Sequence, residues 1–247
     1  MADASGNIWI VVPCYNEACR LPKDAFSSFA AKNPQVHFLW VDDGSTDGTK
    51  ILISDLAVRT GGKTLVLKKN SGKAEAVRQG ILSLRDEPCC TAIGFWDADL
   101  ATPLEEILNF YDILQKNHLS AVMGSRWQHL GDNLIRRKWY RHAMGRIFAF
   151  CVACLLGAPV YDTQCGAKLI TAQLARELFA KPFATKWFFD VEMLKRLKRI
   201  TGDDGLASTA WEVPLQTWCD TEKSKVNMIR AAMDFAILLF TWRKRDL

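Results

Sequence analysis

The sequence predicts an α/β protein built on a mostly parallel, doubly wound sheet. Two observations carry that expectation. Short β-branched or apolar runs alternate with longer helical stretches from residue 8 to residue 124, and repeated βα units of this kind lay parallel strands side by side with helices over both faces. The chain also has the means to bury such a sheet: of its 247 residues, 49% are hydrophobic and 24% charged, as in ordinary globular proteins.

The elements follow in order. Residues 8–12 form a β-branched strand closed by Pro13, and 24–32 read as a helix. A second strand over 36–41 runs into Asp42-Asp43-Gly44-Ser45-Thr46-Asp47-Gly48-Thr49, a segment dense in turn formers and helix caps that opens a helix over 49–60. A third strand covers 64–67, and Asn70-Ser71-Gly72-Lys73 starts a helix reaching about Arg85. The fourth strand spans 91–96, a helix follows over 103–117, and a fifth strand covers 120–124.

In doubly wound sheets ligands bind beyond the carboxyl ends of the strands. Those ends carry Pro13, Tyr15, Asn16 and Glu17, then Asp42 and Asp43, then Asn70 and Lys73, then Asp97 and Asp99, then Ser125 and Arg126. An aromatic ring, several acids and a lysine on one rim suit a nucleotide, with the base stacked, the ribose hydrogen-bonded and a diphosphate held by a metal and a cation. Asp97-Ala98-Asp99 is central to this. If the strand stays extended, the two carboxylates point the same way about 7 Å apart at Cα. Like charges so placed call for a divalent cation beside a diphosphate. The alternative is a surface turn whose acids cap the helix near Thr102-Pro103. Neither Gly-x-Gly-x-x-Gly nor Gly-x-x-x-x-Gly-Lys-Ser/Thr follows a strand, which argues against a dinucleotide cofactor and a P-loop.

The net charge of +5 is too small to argue for nucleic acid and suits an anionic substrate or membrane surface. The first residues lack a basic n-region and an apolar h-region, so no signal peptide is expected. The eight cysteines then read as reduced thiols. Cys151 and Cys154 lie in an apolar helical run without a second ligand pair, which argues against zinc. The apolar runs 147–161 and 235–242 stop short of the roughly 18 to 20 residues a membrane span requires. The expected location is therefore cytoplasmic, peripheral on a membrane face.

Val12-Pro13-Cys14-Tyr15-Asn16-Glu17, the 41–49 segment, Asn70-Ser71-Gly72-Lys73, Asp97-Ala98-Asp99 and Gly124-Ser125-Arg126 resemble, in order and spacing, the inverting glycosyltransferases of family 2. The resemblance implies a GT-A fold, a Rossmann-like mostly parallel sheet flanked by helices. It implies that Pro13, Tyr15, Glu17 and Asp43 hold base and ribose. Asp42 and Lys73 complete the nucleotide-sugar set, and Asp97 and Asp99 hold the diphosphate through Mg2+ or Mn2+. Some lipid-phosphate members carry a Gln ligand two residues after the second Asp; this chain has Ala101.

The second half differs in character. Arg136-Arg137-Lys138-Trp139-Tyr140-Arg141 and Arg146 form a basic, aromatic-laced stretch before an apolar run. Arg137 and Arg141 fall on one helical face, either as a solvated flank or as a phosphate clamp beside a membrane-facing helix. Asp162-Thr163-Gln164-Cys165-Gly166-Ala167-Lys168-Leu169 and Trp187-Phe188-Phe189-Asp190-Val191-Glu192 resemble the polyprenyl-phosphate branch of family 2. The dolichyl-phosphate β-glucosyltransferases are the nearest pattern, with Ala167 where they have Phe. The similarity continues through Glu212-Val213-Pro214 and Ser224-Lys225-Val226.

These readings assign residues 1–225 to one glycosyltransferase domain, with 8–126 binding the nucleotide-sugar and 127–225 the acceptor. Residues 226–247 are expected to form an amphipathic, membrane-associating helix and basic tail, with Met228, Ile229, Ala232, Met233, Ala236, Ile237 and Phe240 on its apolar face. The expected catalytic residues are Asp99, Arg126 and Asp190, and the acceptor-phosphate residues Arg126, Arg137, Arg141 and Lys168. The expected partners are UDP-glucose, a polyprenyl phosphate and a membrane surface or anchoring subunit, with no nucleic acid. The rivals are a mannosyltransferase using GDP-mannose, a family 2 enzyme acting on a saccharide hydroxyl, and a non-catalytic nucleotide-sugar-binding subunit.

Overall fold

A computed structural model describes residues 6–126, 134–136, 139–202, 205–219 and 228–242. The first elements are β1 (Asn7–Cys14), α1 (Lys23–Lys32), β2 (Val36–Asp42), α2 (Thr49–Thr60), β3 (Lys63–Val66), α3 (Lys73–Ser83), β4 (Cys90–Trp96), α4 (Glu106–Lys116) and β5 (Ala121–Ser125). They continue with β6 (Leu134–Arg136), α5 (Trp139–Leu156), β7 (Ala167–Thr171), α6 (Ala172–Leu178), α7 (Phe189–Thr201), α8 (Gly205–Thr209), β8 (Ala210–Pro214), β9 (Thr217–Cys219) and α9 (Met228–Trp242). The strand order is β3-β2-β1-β4-β7-β5-β8, and β6 pairs with β9 in a separate two-stranded sheet. The pairs β1–β2, β1–β4, β2–β3 and β5–β8 are all parallel.

The chain divides into two compact units, Met1–Leu100 with Leu169–Pro182, and Ala101–Lys168 with Phe183–Leu247. The division falls after Leu100, so β5 and Arg126 belong to the second unit, whereas the sequence places them with the nucleotide-binding half.

In the first unit β1 and β2 are buried almost throughout, as β-branched and aromatic strands flanked by helices are. Phe26 and Phe29 of α1 lie one turn apart and pack edge-on against Phe38; Phe26 also meets Trp40. Gly80 lets α3 close on the sheet, since a Cβ there would stand 2.6 Å from Val11. Gly44 adopts φ +68, and a Cβ would meet the Lys69 backbone at 2.5 Å. That close approach brings the ends of β2 and β3 together.

In the second unit Ile107, Phe110 and Leu114 make the buried stripe of α4, at helical spacing. The first turn of α7 carries Asp190 and Glu192, and both are buried. The C-terminal segment is helical over Met228–Trp242. Among its described side chains Leu238 is buried, and Phe235 packs against Phe148 and Phe188. Met233, Ile237 and Phe240 are exposed. The helix is apolar on nearly every side, so periodicity alone does not fix its rotation. Asp234 does, because its carboxylate accepts the Trp187 N–H at 2.9 Å. Among the described residues no helix is long and apolar enough to cross a membrane. The basic tail and Ser224-Lys225-Val226 lie outside the described residues.

Candidate active site

The rim of the first unit is stitched by side-chain to backbone hydrogen bonds. Asp42 accepts the Ser45 N–H at 3.0 Å. Asp43 accepts the Ser71 N–H at 2.7 Å and the Gly72 N–H at 2.8 Å, one on each carboxylate oxygen. Both acids are buried, and a buried carboxylate needs such donors. Asn16, in the left-handed region at φ 53, accepts the Thr46 N–H at 2.9 Å and donates its own to Ser45 Oγ at 3.0 Å. The Glu17 N–H goes to Thr49 Oγ1 at 2.7 Å. Pro13 is half-buried and Tyr15 is exposed.

Glu17 is buried and its carboxylate forks onto the Arg20 guanidinium. The Glu17 hydrogen bonds raise the Arg20 pKa against the effect of burial, and the charges of Glu17 and Asp99 add to the shift. Arg20 escaped the sequence reading, since nothing in its spacing distinguishes it from a solvated loop arginine.

The Asp97–Asp99 segment corrects one expectation. β4 ends at Trp96, and the chain turns at once: the Leu100 N–H bonds to the Asp97 carbonyl at 3.3 Å, with Leu100 at φ 52. The extended alternation expected through Asp99 is absent, because the chain turns directly after the strand. Asp97 and Asp99 are both half-buried. Lys73 opens α3, and its ammonium lies 2.5 Å from Asp97. A cation in a first helical turn opposes the helix dipole, and the Asp97 carboxylate offsets that.

No group of three His, Cys, Asp or Glu side chains poised for a metal occurs among the described residues, and Ala101 carries no ligating side chain. Two hard oxygen donors without a cage still fit Mg2+ or Mn2+, which bind through one or two carboxylates and take the remaining ligands from substrate phosphates and water.

In the second unit the charged residues pair with one another. Asp162 takes Arg126 Nε at 2.6 Å, Nη2 at 2.7 Å and its backbone N–H at 2.9 Å. Burial alone would raise the Asp162 carboxyl; the Arg126 charge and hydrogen bonds overcome it and hold the pKa below the usual range. Glu212 accepts the N–H groups of Tyr161 at 2.8 Å and Asp162 at 2.9 Å, and its pKa is raised, chiefly by burial.

Lys168 is 0% exposed. Its ammonium donates to Asp190 at 2.6 Å, to the Cys165 carbonyl at 2.6 Å and to the Thr163 carbonyl at 3.0 Å. An ammonium has three N–H donors, and here protein acceptors take all three. Lys168 is therefore a buried strut in this structure, which corrects its reading as a phosphate ligand. Asp190, 4% exposed and bonded to that ammonium, serves the strut; a direct contact with substrate is not what the geometry gives it. Glu192 accepts from Ala184 N, Thr185 N and Thr185 Oγ1 at 2.9, 2.7 and 2.5 Å, so it fixes the loop before α7. Arg137 lies outside the described residues, and Arg141 falls in α5 where the backbone alone is described.

Comparison with known proteins agrees with this architecture. The family model "Glycosyl transferase family 2" matches residues 9–179. The chain is similar to a dolichyl-phosphate beta-glucosyltransferase of Dictyostelium discoideum, 31% identical over 95% of this chain and 76% of that protein. The enzyme of that name from Homo sapiens is 33% identical over 75% of this chain and spans further, with 61% of its length matched. The one from Saccharomyces cerevisiae is 28% identical over 93% of this chain and 73% of its own. Among solved structures, glucosyl-3-phosphoglycerate synthase from Mycobacterium tuberculosis, crystallised with Mn2+, UDP-glucose and phosphoglyceric acid, has the same fold. It has a TM-score of 0.66 and 19% identity, and the match covers 97% of this chain and 80% of that one. The chain therefore belongs to glycosyl transferase family 2, with the GT-A fold.

Proposed function

We propose that this enzyme transfers glucose from UDP-glucose to a dolichyl-type polyprenyl phosphate at a membrane surface, inverting the anomeric centre. The observation that carries the reading is the similarity to a dolichyl-phosphate beta-glucosyltransferase along 95% of the chain. In the reaction an oxygen of the lipid phosphate forms a bond to C1 of glucose. The bond from C1 to the diphosphate oxygen breaks, and UDP leaves with the electron pair. The nucleophile is already ionised at neutral pH, so no strong general base is required, in contrast to transfer onto a sugar hydroxyl.

Donor and acceptor both bring negative charge, and the residues divide the task of countering it. Tyr15 stacks on the base, and Asp43, held by Ser71 and Gly72, faces the nucleoside. Asp97 and Asp99 would hold a divalent cation, which supplies Lewis-acid stabilisation of the departing diphosphate. Lys73, beside Asp97, places a positive charge within reach of the same diphosphate. Arg126, locked by Asp162, offers its fork to the acceptor phosphate, with Arg137 and Arg141 as further basic groups.

The test offers the purified chain UDP-glucose or GDP-mannose with a short-chain polyprenyl phosphate in detergent and Mg2+ or Mn2+, and identifies the glycolipid. The expected product is the glucosyl phospholipid from UDP-glucose. Transfer from GDP-mannose alone, or to a free sugar in place of the lipid, would sink the reading. Donor binding without turnover on any acceptor would favour a non-catalytic subunit.

A further inference from the structure

Arg126 can act as a phosphate fork only if its long, flexible side chain is held in one orientation. The second unit contains a frame that does this. Asp162 grips the residue at both ends, taking the backbone N–H at 2.9 Å and the guanidinium through Nε and Nη2 at 2.6 and 2.7 Å. The guanidinium carbon also lies 5.4 Å over the centroid of the Trp218 ring, within cation–π range.

Asp162 is itself fixed. Its Oδ1 accepts the Gln164 N–H at 3.2 Å. Its own N–H and that of Tyr161 enter the two oxygens of Glu212 at 2.9 and 2.8 Å. Glu212 stands in β8, in register with Met123 of β5. The strand pair is closed beyond Pro214 by the Leu215 N–H on the Ser125 carbonyl at 2.9 Å. Ser125 immediately precedes Arg126. The chain of contacts thus runs from the end of β5 through Arg126, Asp162 and Glu212 into β8, and back to the end of β5.

Two carboxylates in series behind one arginine are more than its charge requires. The arrangement makes sense as orientation. A carboxylate that accepts two consecutive backbone N–H groups fixes the main chain that carries the next carboxylate, and that carboxylate fixes the fork.

We infer that Asp162 and Glu212 are positioning residues that hold Arg126 as a phosphate-facing fork, and that they set affinity for the lipid phosphate while leaving donor affinity unchanged. The inference rests on the acceptor role given to Arg126 above. It explains why Asp162 and Glu212, which touch each other through the backbone, are separated by 50 residues in sequence.

The test measures KM for a short-chain polyprenyl phosphate, KM and calorimetric Kd for UDP-glucose, kcat and Tm. It uses the full chain and its Glu212→Gln and Asp162→Asn variants, each also in an Arg126→Lys background. Lys presents a point charge and makes no fork. Glu212→Gln is expected to raise the acceptor KM about tenfold while the UDP-glucose Kd stays within about twofold, and the rise should shrink to less than about twofold in the Arg126→Lys background. An equal loss for donor and acceptor, or a full effect that persists in the Arg126→Lys background, would overturn the positioning role. If Glu212→Gln does not fold, Asp162→Asn, which keeps the side-chain volume, carries the same two outcomes. A wild-type chain that binds UDP-glucose yet glucosylates no lipid phosphate would overturn the acceptor reading and this inference together. Wild-type turnover with unaltered variants overturns this inference alone.

Discussion

The two units hold their buried motif charges differently. On the rim of the first, Asp97 and Asp99 are half-buried, and the deeper acids Asp42 and Asp43 are met by backbone N–H groups. In the second unit Arg126 meets Asp162 and Lys168 meets Asp190 behind little exposed surface. These charges are met by opposite charges. In the first unit the buried motif acids Asp42 and Asp43 are held by backbone N–H groups, and in the second the motif cations Arg126 and Lys168 are held by side chains of opposite sign.

The sharpest way to break that comparison is to remove one charge from each side and read both turnover and stability. Asp99→Asn removes the carboxylate proposed to hold the metal from a half-buried turn. It should lower transfer on the order of a thousandfold or more, since a lost electrostatic contact to developing charge costs about that much. Tm should stay within a few degrees. Normal turnover of that variant in the presence of chelator would refute the metal reading.

Lys168→Met should do the reverse. It leaves Asp190 buried without its counter-ion, a change that costs about 3–5 kcal/mol, and a chain of this size then loses roughly 10 °C in Tm. Adding Asp190→Asn to Lys168→Met should recover part of that loss, because the orphaned charge is gone. A Lys168→Met variant that keeps its Tm while its acceptor KM rises would restore Lys168 to the phosphate site.

How much of this was legible beforehand follows the same division. The strands and helices from β1 to β5 follow βα periodicity closely, since each is a local pattern with its own turn chemistry. Asp97 and Asp99 announce themselves as acids at a strand end. β7 and β8 carry no such signal. β7 places a lysine in its interior, and β8 is short and half-exposed. Their pairing partners lie far away in sequence. The Arg126–Asp162 and Lys168–Asp190 pairs span 36 and 22 residues, and no spacing rule reaches across such gaps. The motif Asp162–Leu169 was visible as a motif, but whether its lysine faced a ligand or the interior depended on packing that sequence does not encode locally.

Acid titration offers a smaller effect with a definite sign. Asp162 has a folded pKa held below the ordinary 3.8 by Arg126. Its contribution is therefore fully present above the ordinary value and is lost as pH falls through the lowered one. Glu212, raised by burial, runs the other way: its ionised form is costly in the fold, and that cost is relieved as pH falls through its raised value. Lys168 adds a positive charge near both. The urea midpoint of the wild type should therefore exceed that of Asp162→Asn at neutral pH, and the gap should close as pH is lowered below the ordinary carboxylate value. A gap that is constant from neutral pH to acid would show that the Asp162 charge contributes nothing to stability.

The smallest effect isolates burial from distance. Lys116 and Asp112 stand 2.7 Å apart, and Arg126 and Asp162 stand 2.6 Å apart. By separation alone the two pairs are equivalent. Their side chains differ in exposure, at 71% and 54% for the first pair against 13% and 12% for the second. Water and salt screen the exposed pair, and holding two long side chains together costs conformational entropy. Lys116→Ala should accordingly change stability by less than about 0.5 kcal/mol, within the range of helical i,i+4 pairs. Asp162→Asn should cost several times more, because it leaves a guanidinium and two N–H groups without their acceptor charge. Equal losses in the two variants, measured by urea denaturation at neutral pH, would mean that proximity and not burial sets the worth of these pairs.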